Sequence, residues 1–244
     1  MMECSHVVVL DLETLWSADD CRHCGHPEDA HMISTLAGGN YCPPGQMRTG
    51  YERLGWDAKA ALGLSVGCYW SYADSRIYWF DMHTLQATMQ AFIDQQLLMV
   101  SFNGIGFDFP LMRALLYDCA DKASTEDDRQ PLLRLCADFT VLCASSYDLL
   151  AEIWKQDPDD KYARSNSLDA ISQASGLGAK LSHGAQAPRD WQARRYANVL
   201  NYCQDDVYKT KSLFEMICRG EPIIRGNGLA LLLPTPEPSL CIRC

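Results

Sequence analysis

Asp11-Leu12-Glu13 places two carboxylates one residue apart, directly after the β-branched run Val7-Val8-Val9-Leu10. In an extended chain successive side chains point to opposite faces, so both acids share one face and Leu12 takes the other. Like charges that close repel unless a cation lies between them; an ordinary solvated strand end is the competing reading. A second block, Asn103-Gly104-Ile105-Gly106-Phe107-Asp108-Phe109-Pro110, leaves an apolar run, turns on two glycines and delivers Asp108 to the start of a helix. Asp is a favoured helix cap and Pro is tolerated in a first turn, so capping and chemistry are compatible there. A third block, Tyr202-Cys203-Gln204-Asp205-Asp206, lies on a helical pattern. Tyr202 and Asp206 are four apart and share a face, while Asp205, three on from Tyr202, remains within reach. An amphipathic helix with an exposed acidic pair would look the same. Brought together, these oxygen donors would suit Mg²⁺ or Mn²⁺.

A different donor set occupies residues 17–56, a stretch without periodicity that is rich in Gly, Pro, Cys and His and too long for an ordinary loop. Cys21-x(2)-Cys24-x(6)-His31-x(10)-Cys42 lies inside it, and a two-residue gap lets two thiolates bind one Zn²⁺ tetrahedrally. Such a metal would explain how a segment with few apolar side chains stays folded, and four protein ligands would leave no position open for catalysis. His23 and His26 compete as ligands, and free cysteines in a loose loop are the alternative. Cys241 and Cys244 are a weaker pair, either a frayed tail or the completion of a four-cysteine site. Of the twelve cysteines, those scattered through apolar segments, such as Cys68, Cys136 and Cys143, read as reduced core thiols.

The elements that must position these groups follow from hydrophobic patterning. Residues 7–10 predict a buried strand, and residues 61–72 and 76–80 two more, separated by the turn-like Ala73-Asp74-Ser75 and forming an antiparallel meander with the first. A helical stripe covers residues 85–93, a compact strand residues 97–102, and a helix residues 109–117. Residues 118–131 read as a polar connector and residues 136–143 as a further strand. Helices are expected at 147–155, 168–175 and 190–219, the last long enough to kink or break. Beyond Gly220 runs a tail punctuated by Pro and Gly, with one strand-like piece at 229–233. Three early strands followed by alternation predict an α/β fold, a mixed sheet with helices on both faces. At 244 residues, this divides into one domain over 1–219, carrying the insertion at 17–56, and a tail at 220–244.

In order and type, the three blocks resemble those of the DEDD superfamily of 3′ to 5′ exonucleases, which have a ribonuclease H-like fold. Asp11-Leu12-Glu13-Thr14 is similar to the opening Asp-x-Glu motif, Asn103 to Asp108 to the Asn-x(4)-Asp element, and Tyr202-x(3)-Asp206 to the closing motif of the tyrosine branch. Asn201 stands where the histidine branch would place its histidine. Ser167-Leu168-Asp169 through Gly176-Leu177-Gly178-Ala179-Lys180 also resembles a stretch that stand-alone members carry before the third motif. The resemblance covers residues 7–16 and 60–218, and neither the insertion nor the tail.

It implies two catalytic divalent cations, Mg²⁺ or Mn²⁺, about 3.5 to 4 Å apart. Asp11, Glu13 and Asp206 would hold the first, Asp11 would bridge to the second, Asp108 would act directly or through water, and Tyr202 would orient the nucleophilic water. Thr14, Asn103 and Phe107 would contact a DNA or RNA substrate with a free 3′ end. A non-catalytic nucleic-acid-binding adaptor that uses the zinc insertion, and a two-metal endonuclease, are the alternatives.

The bulk properties set bounds on this reading. A chain that is 48% hydrophobic and 21% charged has the composition of a packed globule rather than of a disordered or fibrous protein. No apolar run approaches the roughly 18 residues of a membrane span. The first six residues lack the basic and apolar regions of a secretory signal, which predicts a cytoplasmic location. The net charge of −10 opposes simple phosphate binding, although two dications would offset four of those charges. Arg189, Arg194 and Arg195 form one candidate basic patch near the third block, or a solvated helix face.

Overall fold

A computed structural model describes residues 5–21, 53–181 and 186–236. Cys24, His31, Cys42, His23, His26, Cys241 and Cys244 lie outside these residues. Strand β1, Val7–Thr14, continues past the apolar run and includes both acids, because β2, Leu64–Ser71, pairs with it along its length, Asp11 opposite Cys68 and Glu13 opposite Val66. The strand expected over 61–72 is shorter at its start. Lys59–Leu62 forms one helical turn, α1, ended by Gly63 at φ +64°, a conformation that favours glycine. Strand β3, Arg76–Phe80, pairs antiparallel to β2 as expected. β4, Leu98–Ser101, and the two-residue β5, Tyr147–Asp148, lie parallel on the other side of β1, giving the order β3-β2-β1-β4-β5.

Alternation along β1 assigns the layers. Val8, Leu10 and Leu12 face one core with Met89, Phe92, Met112 and Phe139, whereas Val7 and Val9 face another with Val199, Val207 and Phe214. The first core is covered by α2 (Leu85–Asp94), α3 (Asp108–Asp121) and α4 (Glu126–Cys143). The second is covered by α8 (Tyr196–Cys218), which lies across β1, β2 and β4. Helices therefore flank both faces of a five-stranded mixed sheet, an arrangement that fits a ribonuclease H-like fold. Asp11 and Glu13 fall on the Val7/Val9 face, toward α8.

Residues 136–143 are helical rather than extended, and the polar connector shrinks to residues 122–125. The β-prone Phe139-Thr140-Val141-Leu142 run is overridden by strong helix-start chemistry. Thr125 accepts a bond from the Asp128 N–H at 3.1 Å, and Glu126, Asp127 and Asp128 place negative charge at the N-terminus of α4. The helix then buries Leu135, Cys136 and Phe139 on one face, with the Phe139 ring edge-on to Phe109 at 6.2 Å, and leaves Val141 75% exposed. Pro131 is accommodated in its second turn.

Tyr147–Asp148 is a strand end, followed by α5, Leu149–Gln156, and α6 is Leu168–Ala174. The long pattern over 190–219 breaks at Arg194, φ +60°, between α7 (Gln186–Gln192) and α8. Ile223–Ile224 (β6) pairs with Ala230–Leu231 (β7), and Ile223 and Leu233 are buried in the core beneath α8, so the described part of the tail packs back on the sheet. Cys68 and Cys136 are buried free thiols, and Cys143 is half-buried. Among the described residues no helix is long and apolar enough to cross a membrane.

Candidate active site

β1 and β4 are parallel neighbours, so their C-terminal ends emerge side by side, where sheet-based sites usually form. β1 supplies Asp11 and Glu13. The turn after β4 supplies Asp108, which is the first residue of α3 rather than its cap. That turn is tightly specified. Asn103 adopts φ +72°, and a Cβ on Gly104 would come within 2.2 Å of Ser101 Oγ, so residue 104 must be glycine for the chain to pass. Asp148, at the end of β5, accepts the N–H groups of Asn103 and Ile105, both at 2.9 Å, and also caps α5 through Leu150 and Ala151 N–H. One buried carboxylate thus ties the loop that carries Asp108 to the adjacent strand.

From the face of the sheet that Asp11 and Glu13 occupy, opposite α3, α8 brings Asp206. Carboxylate oxygens of Asp11, Glu13 and Asp206 all lie within 4.8 Å of one another. Asp108 joins them in lining a cleft of about 470 Å³. Helical spacing left Asp205 and Asp206 both open; packing separates them. Asp206 is turned into the cluster and is 6% exposed, whereas Asp205 accepts the Leu181 N–H at 3.1 Å and pairs with Lys209. Asp11 Oδ2 and Asp206 Oδ1 are enclosed without a hydrogen-bond partner. Buried carboxylate oxygens are ordinarily satisfied, and two orphaned ones facing a third carboxylate form a donor set that fits a hard divalent cation.

The electrostatics agree with this geometry. Burial, reinforced by the charges of Asp206, Asp108 and Glu13, holds Asp11 well above the ordinary carboxylate range. Burial and then Asp206 push Glu13 up to about 8. Burial and then Asp148 push Asp108 up to about 8. Asp206 is raised by burial and moderated by Lys180, whose ammonium pairs with its Oδ2. Lys180 is itself opposed by burial, yet Asp206 and Asp11 hold it above its usual value. One ammonium among four acids is a partial compensation, and the remaining repulsion is what a divalent cation would relieve.

Lys180 and Asp148 had no role assigned from sequence. Lys180 belonged to the Gly176-to-Lys180 block, and its position follows from a bond of its N–H to Asp169 Oδ1 at 2.7 Å, a partner eleven residues earlier. Nothing local marked Asp148. Of the other expected site residues, Thr14, Asn103 and Phe107 line the cleft, Thr14 Oγ1 donating to the Trp16 carbonyl at 2.9 Å. The Tyr202 hydroxyl, in contrast, donates to Asp190 Oδ2 at 2.9 Å. Asp190 also accepts from Gln186, Asn198 and Arg195; burial opposes its charge, but these donors together draw its carboxyl down to about 2. Arg195 is thereby committed to Asp190, while Arg189 and Arg194 are exposed, and none of the three lines the cleft. Cys21 is buried at an isolated antiparallel bridge with Arg53, and Leu54 and Gly55 N–H groups bond to Asp20 and Ala18 carbonyls, both at 2.9 Å. Cys21 and Arg53 are therefore side by side, and Trp56, three residues on from Arg53, lines the cleft.

A model of predicted 3′–5′ exonucleases related to the exonuclease domain of PolB matches residues 80–221, more than half of the chain. The chain belongs to this family. Membership makes it a nuclease-type domain, with nucleic acid as the implied substrate. The matched stretch contains Asp108, Lys180, Tyr202 and Asp206 but begins after Asp11 and Glu13; the fold brings those two acids to the same cleft independently of the match. No curated protein matches the chain. No solved structure matches it either.

Proposed function

We propose that this protein is a metal-dependent 3′ to 5′ exonuclease of the tyrosine DEDD type, hydrolysing phosphodiester bonds of DNA or RNA from a free 3′ end. The observation that carries the reading is the convergence of Asp11, Glu13 and Asp206 within 4.8 Å, with two of their oxygens enclosed and unpartnered. In this reading Asp11, Glu13 and Asp206 would hold one Mg²⁺ or Mn²⁺, Asp11 would also serve a second, and Asp108 would support the second directly or through water. When bound, two dications supply charge compensation at the phosphate and make water acidic enough to attack at neutral pH.

The chain's own groups do the rest. Phe107, Asn103 and Thr14 line the space for the nucleotide beside the carboxylates. Tyr202 orients the attacking water, which requires its hydroxyl to exchange Asp190 for that water when substrate binds. Residues 1–219 form the catalytic unit, and 220–244 a C-terminal tail.

We further propose one structural Zn²⁺ in the insertion over 17–56, on Cys21, Cys24, His31 and Cys42, a reading supported by the spacing of those residues and by the closed base of the segment at Cys21 and Arg53.

The test is hydrolysis of 3′-labelled and 5′-labelled DNA and RNA with Mg²⁺, Mn²⁺ or chelator. Release of mononucleotides from the 3′ end only, abolished by chelator, is expected. Internal cuts in a circular substrate would make it an endonuclease, and binding without hydrolysis an adaptor.

A further inference from the structure

The acidic cleft has a second arm. A neighbouring cleft of about 370 Å³ shares Asp11, Asn103, Lys180 and Asp206 with the first, then runs away from the carboxylates between Trp154 on α5 and the turn that carries Lys161 and Tyr162. Its far wall is an unusual surface. Tyr162 is 86% exposed, its ring centroid 6.1 Å from that of Trp154, and Lys161 Nζ stands 4.4 Å over the Trp154 ring and 5.5 Å from the Tyr162 ring. Exposed aromatics occur singly on most proteins, but two rings and a lysine gathered at the mouth of a cleft that ends on carboxylates need a reason.

This wall is also built rather than accidental. Arg225, fully buried, donates to Asp157 Oδ2 at 2.7 Å and to Asp160 on the turn Pro158–Asp160, and Asn166 Nδ2 donates to the Asp160 carbonyl at 2.8 Å. The residues immediately after that turn, Lys161 and Tyr162, are thereby held in place from below.

The first arm repeats the chemistry. Lys59 Nζ lies 4.2 Å over the Phe107 ring, and Trp56 meets Phe107 edge-on at 5.6 Å. An aromatic group with a lysine thus stands on each side of the carboxylates. A polynucleotide strand alternates phosphates with flat bases, and a phosphate placed at the carboxylates would send one nucleotide into each arm. In a duplex the base faces are already stacked on one another, so only an unpaired strand offers them to protein rings. The lysines supply positive charge at those points on a chain whose net charge is −10.

We propose that Trp154, Lys161 and Tyr162 form a subsite for unpaired nucleic acid, stacking one base on the far side of the scissile phosphate and meeting its backbone with Lys161. This rests on the nuclease reading of the central carboxylates, and it assigns single-stranded ends as the substrate class.

The test is equilibrium binding of fluorescein-labelled oligothymidylate, oligouridylate and a blunt duplex to the full-length protein in chelator, where turnover is absent, followed by steady-state hydrolysis with Mg²⁺ or Mn²⁺. Tyr162→Ser, at an exposed position, should weaken binding of both single strands by about 5- to 100-fold and leave the duplex unchanged, and Tyr162→Phe should restore it. In hydrolysis the Ser variant should raise KM with kcat nearly preserved. Unchanged binding and KM in Tyr162→Ser would overturn the subsite while leaving the nuclease reading intact, as would a wild type that binds no oligonucleotide. Equal losses on single strand and duplex would overturn the single-strand assignment. Tyr162-dependent binding by a wild type that cleaves nothing would keep the subsite and overturn the nuclease reading instead.

Discussion

Replacing Glu13 with Gln should make the metal-free protein more stable at pH 8, although it removes a group from the centre of the site. Glu13 is 8% exposed, and its carboxyl is moved from 4.5 to about 8 by burial and by Asp206. The folded state therefore binds a proton between pH 4.5 and 8 that the unfolded chain has released. A group raised on folding contributes its stability in full below the unfolded value and loses it as pH climbs to the folded one, so stability should fall across this window. At pH 8 ionising Glu13 in the folded protein costs about 4 kcal/mol at ~1.36 kcal/mol per pH unit. A buried amide without a partner gives back about 2 kcal/mol. The net gain is about 2 kcal/mol, or about 4 to 8 °C in Tm for a chain of this size. At pH 5 folded wild-type Glu13 is already protonated, so the cost of the amide dominates and the variant should melt lower than wild type. Thermal unfolding followed by circular dichroism in chelator, at both pH values, measures this. A Glu13→Gln variant that melts lower than wild type at pH 8, or gains equally at both pH values, would refute the argument that the acids repel across a shared site.

Other outcomes follow from the same geometry. Asp148→Ala leaves four N–H groups without their acceptor and should cost about 3 kcal/mol in chemical denaturation, with activity falling further because the loop delivering Asp108 is released. Asp206→Asn should abolish hydrolysis, whereas Asp205→Asn should keep it while losing about 2 kcal/mol through the buried partner Lys209; equal activity losses would contradict the separation of the two acids. Tyr202→Phe should lower kcat by roughly 10²-fold or more at unchanged divalent-cation affinity measured by calorimetry, and a variant with wild-type kcat would remove Tyr202 from the chemistry. Protein purified without added metal should contain about one zinc per chain, and Cys21→Ser with Cys24→Ser should lose it and expose residues 17–56 to limited proteolysis; a zinc-free wild type would exclude that site.

Local sequence determined what depends on neighbours along the chain. The β-branched run at 7–10 specifies a strand, and the strand period of two puts Asp11 and Glu13 together without reference to the rest of the protein. The two glycines after Asn103 and the four-residue spacing of Tyr202 and Asp206 likewise carried their geometry in short range, which is why the three acidic blocks were legible before any fold was known. Residues 136–143 show where local preference loses: a β-prone run became helix because Thr125 and three acids begin a helix ten residues earlier and Leu135, Cys136 and Phe139 bury one helical face. Helical spacing left Asp205 and Asp206 open and the resemblance selected Asp206, which packing turns into the cluster; the arrival of Lys180 beside Asp206, the grip of Asp148 on the Asn103 loop and the turn of the Tyr202 hydroxyl toward Asp190 were decided only by packing. Each depends on a partner on another element or on the register of α8 against the sheet, and a buried charge takes the orientation its distant partners can satisfy rather than the one its own spacing permits.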